Sequence, residues 1–447
     1  MRVRDERTAR RREQSGWYVY DWAASVFSTT VVTVFLGPYL ADVAETAAGG
    51  PDASLHPFGI PVDPDSLFPY TVSLSVLLQV VLLPVVGAVA DRSRRKRAML
   101  GGFAYLGALA TAGLFFVSGG RYLLGAALFL VANMAFGASV VVYNSFLPEI
   151  AAPEERDRVS SRGWAVGYLG GGLLLALNLG LFLGRNAFGL GEGEAVRICL
   201  LSAGAWWALF TLVPLRRLRP HGPVPAAEPG TGVLTAGFRQ LWDTLRSLRA
   251  YPQTLLFLLA YLLYNDGVQT VIAFSAQFGD RGLGLSQTVL ISSILLVQFV
   301  AFGGALLLGR LAGRWGAKRT VIGSLAVWVA CLAGAFTLRA GSAAQFYALA
   351  AVIGTVLGGT QALSRSLFSQ LIPPGREAEY FGLYEISDRG TSWLGALIFG
   401  LSLQLTDSYR LAIMSLVVFF VAGGAVLARV DMRRGAAEAG NPAPEAV

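Results

Sequence analysis

Gly87-Ala-Val-Ala-Asp91-Arg92-Ser-Arg94-Arg95-Lys96-Arg97 joins two long apolar runs, Pro69–Ala90 and Ala98–Val117. The same kind of junction returns 222 residues later as Gly309-Arg-Leu-Ala-Gly313-Arg314-Trp-Gly316-Ala-Lys318-Arg319. Gly, Arg, Lys and Arg recur in register. A second echo relates Ser145–Pro153 to Ser366–Pro374 at an offset of 221. A repeat this long, written mostly in apolar residues, predicts two similar halves of one membrane architecture.

Composition supports that reading. Of 447 residues 54% are apolar and 14% charged, with a mean hydropathy of +0.55. A soluble chain carries about 25% charged residues. Spans of about 20 apolar residues read as Trp17–Ala41, Pro69–Ala90, Ala98–Val117, Tyr122–Leu147, Gly163–Gly184, Arg197–Leu215, Gln253–Gln277, Ser286–Leu308, Thr320–Leu338, Ala343–Leu363, Phe381–Thr406 and Tyr409–Ala428. The fold class expected is an all-α membrane protein of 12 transmembrane helices in two six-helix halves. Residues 1–16 form an N-terminal tail, 17–215 and 253–430 the two bundles, 216–252 a linker, and 431–447 a disordered tail. In the linker Phe238, Leu241, Trp242, Leu245 and Leu248 share one face, as in a helix lying at a membrane interface.

With both termini cytoplasmic, 28 of the 36 Lys and Arg fall on the cytoplasmic side and 6 opposite, a strong positive-inside bias. The net charge of +8 is spread over short loops, which suits topology better than a nucleic-acid groove. Arg outnumbers Lys 34 to 2, which hints at a GC-rich bacterial genome and so a bacterial plasma membrane. No cleavable secretory signal precedes the first run. The two histidines, His56 and His221, lie in proline-rich polar stretches, and Cys199 and Cys331 sit singly in separate runs. No zinc site, metal clamp or His-based general base is expected, and no cofactor.

The loop after span two resembles the signature of the major facilitator superfamily, Gly-x3-Asp-Arg-x-Gly-Arg-Lys. Gly87, Asp91, Arg92, Arg95 and Lys96 match it, and Arg94 replaces the second Gly. The later copy restores that Gly as Gly316 and loses the Asp to Gly313. Within the superfamily the chain resembles the vacuole-effluxer-like family, named for fungal autophagy-related exporters of amino acids. The resemblance rests on Tyr20-Asp21-Trp22-Ala23, on Ser161-Arg162-Gly163-Trp164-Ala165-Val166-Gly167-Tyr168-Leu169-Gly170-Gly171-Gly172, on Tyr264-Asn265-Asp266-Gly267-Val268-Gln269-Thr270, and on Gly358-Gly359-Thr360-Gln361-Ala362-Leu363-Ser364-Arg365-Ser366. It implies a monomeric transporter of a small molecule in contact with membrane lipid, working by alternating access.

A charge inside a bilayer is costly, about 2.5–3.5 kcal/mol on insertion scales, so it lines a path or pairs. Asp266 is the carboxylate placed deepest, in span seven. It reads either as a proton-coupling or substrate-ammonium site, or as a structural Asp pinning Asn265 and Gly267. Arg365 in span ten suits a bidentate carboxylate clamp, or else snorkels to the cytoplasmic interface or pairs with a gate acid; its repeat counterpart is Asn144. By analogy with the superfamily, Tyr143, Asn144, Gln269 and Gln361 line a cavity. Glu385 and Arg389 are spaced as a helical ion pair. With Gly87, Asp91, Arg92, Arg95, Glu149, Arg162 and Asp388 they are expected to build a cytoplasmic gate. Asp21 is expected as an N-cap or gate residue at the start of span one. Glycines at 163, 167, 170, 171 and 172 predict close helix packing.

Intramembrane protease motifs, metal-ligand clusters and nucleotide-binding loops are absent from the sequence, and no soluble signalling domain follows the spans. A secondary transporter of a small polar solute, amino acids included, coupled to a proton or cation, is the reading favoured. A multidrug or amphiphile exporter is the alternative, followed by a non-transporting membrane sensor.

Overall fold

The computed structural model describes residues 2–50, 53–219, 242, 246, 248–389 and 392–442. Within them the chain is α-helical with no strand, apart from one isolated bridge between Leu55 and Val62. Eleven helices are long and apolar enough to cross a membrane, and a shorter apolar helix covers Leu394–Thr406. In chain order they are α1 (Arg2–Val26), a π-helical stretch Phe27–Phe35, α2 (Leu36–Ala48), α3 (Leu67–Asp91), α4 (Lys96–Gly113), α5 (Tyr122–Ser145), α6 (Leu147–Ile150), α7 (Arg156–Leu183) and α8 (Glu192–Arg217). There follow α9 (Pro252–Gln277), α10 (Gln287–Trp315), α11 (Ala317–Thr337), α12 (Ala343–Gln370), α13 (Glu377–Arg389), α14 (Ser392–Thr406), α15 (Tyr409–Ser415), α16 (Val417–Arg429) and α17 (Met432–Glu438).

The helices form because a bilayer leaves the backbone no partner but itself. Local signals set some ends: Pro252 opens α9 where its missing N–H costs nothing, Ser408 caps α15 through the Leu411 N–H, and Gly49 closes α2 with φ of 92°. Many apolar side chains remain exposed, Leu77 and Leu109 among them at 67% and 69%, as lipid-facing surfaces require.

The chain divides into two compact units, Met1–Leu83 with Ser93–Tyr143 and Leu169–Pro220, and Pro84–Arg92 with Asn144–Tyr168 and His221–Val447. In the first, Trp17 Nε1 donates to the Tyr143 carbonyl at 3.0 Å while their rings stack at 4.5 Å. A Cβ on Gly170 would collide with Trp22, and one on Gly171 with Thr29, so these two glycines do serve close packing. In the second unit Gly304 lies against the Thr355 backbone and Gly358 against the Ala301 carbonyl, which lets α10 and α12 run in contact.

Residues 84–92 and 144–168 bond to the helices after residue 360 and fall within the second unit. Three expectations need correction. The N-terminal tail is helical from Arg2 and continuous with span one, as its Arg- and Glu-rich composition allows. Asp21 therefore lies nineteen residues into a helix and cannot be its N-cap. Span eleven is helical over Glu377–Arg389 and Ser392–Thr406, and residues 390 and 391 lie outside the described residues. Residues 431–442 are also ordered: Asp431 caps α17 through the Arg433 and Arg434 N–H groups, and Asn441 Nδ2 donates to the carbonyls of Gln370 and Ile372 at 2.9 and 2.7 Å. Most of the 216–252 linker lies outside the described residues; within it Arg246 sits over the Trp242 ring at 5.1 Å.

Candidate functional site

Arg365 is held in the second unit at 3% exposure, so the interface-snorkelling alternative fails. Its Nε donates to Ser160 Oγ at 2.9 Å, Nη2 to the Ser160 carbonyl at 3.1 Å and Nη1 to Asn144 Oδ1 at 3.2 Å. The Trp164 ring lies 5.4 Å from the guanidinium carbon, within cation–π range. The other end of Asn144 donates to Glu385 Oε1 at 3.0 Å, and Glu385 is itself 4% exposed. One carboxamide thus bridges a buried guanidinium and a buried carboxylate. Asn144 and Arg365 occupy equivalent positions of the repeat, and the fold brings them together.

Hydroxyls frame this network. Ser160 Oγ also donates to the Ala362 carbonyl at 2.6 Å, Ser366 donates to Asp157 Oδ1 at 2.5 Å, and Tyr168 donates to Gln361 Oε1 at 2.7 Å. On α9, Tyr264 shares a 2.6 Å hydrogen bond with Ser364, and Tyr261 donates to Asp388 Oδ1 at 2.6 Å. Asn265 donates to the same Asp388 oxygen at 2.9 Å, and Tyr384 stacks on Tyr261 at 4.2 Å. Helices α5, α7, α9, α12 and α13 therefore meet in one polar and aromatic cluster inside the second unit.

Asp266 sits beside that cluster with different neighbours. It is 1% exposed, and its Oδ2 accepts the Gly395 N–H of α14 at 2.9 Å. Its Oδ1 is buried with no hydrogen-bond partner, as is the Thr270 hydroxyl one turn on. No hydrogen bond among the described residues joins Asp266 to Arg365. Gln269 is half-buried on α9 and makes no described bond to the cluster.

Asp91 meets the start of α13. Its Oδ1 accepts the Ala378 N–H at 2.9 Å and its Oδ2 the Glu379 N–H at 2.8 Å. These are orphan donors in the first turn of α13, where the helix dipole also favours a negative charge. Gly87, one turn before Asp91, lies against the Ala378 carbonyl, and a side chain there would strike it. Arg376 pairs with the buried Glu379 at 3.1 Å in the same turn. The other gate candidates scatter. Arg92, Arg95 and Arg162 are exposed and Glu149 is half-buried in α6. Asp21 accepts from Tyr143 Oη at 2.6 Å within the first unit. The expected Glu385–Arg389 pair involves an Arg389 side chain outside the described residues.

Ser160, Asp157, Tyr261 and Glu379 belong to these contacts and escape a sequence reading, while Trp164 and Thr270 stand in the segments that carry the resemblance without a role assigned to them. Hydroxyls in helices commonly bond their own i−4 carbonyl, so nothing local marks Ser160 or Thr270 as different.

Comparison with known proteins places the chain. The family described as "Vacuole effluxer Atg22 like" matches residues 9–440. An uncharacterized MFS-type transporter, YxiO of Bacillus subtilis, is 29% identical over 94% of this chain and 95% of its own. Autophagy-related protein 22 of Yarrowia lipolytica is 30% identical over 86% of this chain and 78% of its own. In fold the chain resembles the MFS proton:xylose symporter XylE bound to 6-bromo-6-deoxy-D-glucose, with a TM-score of 0.68 and 12% identity over 94% and 95% of the two chains. It also resembles a bacterial homologue of the iron transporter ferroportin in an outward-facing state, with a TM-score of 0.65 and 14% identity over 94% and 98%. The chain belongs to the vacuole effluxer Atg22-like family of the major facilitator superfamily; it is a membrane transporter and not an enzyme.

Proposed function

We propose that the chain is a secondary active transporter of small polar solutes bearing a carboxylate, amino acids among them, working by alternating access and coupled to an ion through Asp266. The observation that carries this reading is Arg365: a guanidinium at 3% exposure that donates to Ser160 and to Asn144. A cargo carboxylate is a stronger acceptor for the same planar fork, and its arrival frees Asn144 from Arg365 and so reaches Glu385. Cargo binding and the contacts of α13 thereby become linked.

The capping of α13 by Asp91 supplies a contact of the kind that forms in one state only. The bias of basic residues supports an orientation with the Asp91 loop and both termini in the cytoplasm of a bacterial cell. The family description names an effluxer, which favours export.

Counterflow of pooled labelled amino acids in proteoliposomes tests the cargo assignment. Saturable exchange in wild type, reduced at least about tenfold in Arg365→Lys, supports it; one hydrogen bond to a charged group lost from a transition state corresponds to about that factor. Exchange absent for every amino acid, together with Asp266-dependent efflux of lipophilic cations, replaces it with the amphiphile exporter.

A further inference from the structure

Resting on the assignment of Asp266 to ion coupling, we propose that the coupling ion is a proton carried on Asp266 Oδ1 and positioned by Thr270, rather than an alkali cation or a cargo ammonium. Asp266 and Thr270 are four residues apart on α9 and so share one face. Asp266 Oδ1 and Thr270 Oγ1 are both buried without hydrogen-bond partners, in residues 1% and 2% exposed. The second carboxylate oxygen is already taken by the Gly395 N–H.

The surroundings leave room for little else. Gly395 presses its backbone against the Thr270 side chain, and Gly267, next to Asp266, has the Phe419 Cβ and the Phe420 ring at 3.0 Å from where its own Cβ would stand. A hard metal ion takes six or more oxygens, and the pair offers two. An ammonium brings three donors that each need an acceptor. A proton needs one lone pair and no volume.

Thr270 suits both forms of the carboxyl. Its Oγ1 and Asp266 Oδ1 make no hydrogen bond to each other in this structure; with its side chain turned toward Oδ1, the Thr270 hydroxyl can donate to a charged carboxylate and accept from a protonated one, so one group serves the loaded and unloaded site. Loading moves a proton from water to Oδ1, forming one O–H bond and cancelling one negative charge; release returns that proton to water. The loaded site crosses the bilayer uncharged.

The charged and titratable groups on the neighbouring helices are few. α14 carries none and α16 only Arg429 at its far end. α13 carries Asp388, bonded to Tyr261 and Asn265, as well as Tyr384 and Glu385. It ends in Arg389, whose side chain lies outside the described residues. α12 carries Arg365, engaged with Ser160 and Asn144. On α9 itself, Tyr264 is bonded to Ser364.

Infrared difference titration of the whole reconstituted chain, without cargo, reads the protonated-carboxyl band directly. The expected result is a titrating band that Asp266→Asn removes. Thr270→Val displaces its midpoint by about one pH unit, tenfold in proton affinity, Thr270→Ser restores it, and exchanging potassium for sodium leaves it in place. Arg389→Gln leaves the band titrating. A band that answers to sodium instead of pH, or a midpoint that Thr270→Val does not move, overturns the proposal. Should Asp266→Asn not fold, the Thr270 pair decides alone. The cargo plays no part in this measurement: a titrating Asp266 in a protein that moves no amino acid overturns the cargo assignment and leaves the proton site standing.

Discussion

Asp91→Asn is the sharpest perturbation of the α13 contact. The substitution keeps the shape of the side chain and exchanges one acceptor oxygen for an amide that cannot accept. Of the bonds to the Ala378 and Glu379 N–H groups, at 2.9 and 2.8 Å, one survives. A hydrogen bond to a charged group contributes about 1.5–3 kcal/mol, and each 1.4 kcal/mol is tenfold in a population. Asp91 is half-buried, so screening puts the effect at the low end, about tenfold. The reporter is Ser161→Cys: Ser161 is 2% exposed, its Oγ has no hydrogen-bond partner, and it packs against Gly309. Both native cysteines are buried and give a quiet background. The rate of thiol alkylation then follows the fraction of time α7 and α10 separate. Asp91→Asn should raise that rate about tenfold with little loss of thermal stability. An unchanged rate in correctly folded protein would refute the gate role.

Other consequences are as specific. Gly395→Ala drives a methyl into the Thr270 side chain, and overpacking of this kind costs about 1–3 kcal/mol; thermal unfolding in detergent should show a lower midpoint, and an unaltered one contradicts the packing described. Asn441→Ala removes the two bonds to the carbonyls of Gln370 and Ile372, so limited proteolysis should cut after residue 430 several-fold faster while the spans stay intact. Glu385→Gln keeps an acceptor for Asn144 but removes the charge balancing Arg365. It should lower transport more than it lowers the unfolding temperature, and the reverse order would make Glu385 purely structural.

The membrane fold was legible because it is written redundantly. Each span repeats the apolar signal about twenty times, and positive charge marks one side of every loop. Asp91 was legible through its motif and Arg365 through the cost of a buried charge. The Asn144–Arg365 contact was half legible, since the repeat offset pairs the two positions without saying that they touch. Tertiary partners decide the rest. Asn441 is an ordinary polar residue until the carbonyls at the end of α12 come within reach, so the polar tail from residue 431 reads as disorder. Asp21 looks like a cap only while span one is taken to begin at Trp17; the helix runs back to Arg2, and the carboxylate finds Tyr143 instead. Thr270 and Ser160 carry no sequence mark of their roles, which depend on Gly395 and Arg365, more than a hundred residues away.

The proposed cycle moves a polar solute with a proton held at Asp266. The most direct test is flux of labelled amino acids in proteoliposomes, wild type beside Asp266→Asn, with and without an imposed pH gradient. Gradient-driven accumulation is expected in wild type, and in Asp266→Asn a loss of accumulation while counterflow at equal pH persists. Gradient-driven accumulation that survives Asp266→Asn undiminished would contradict it.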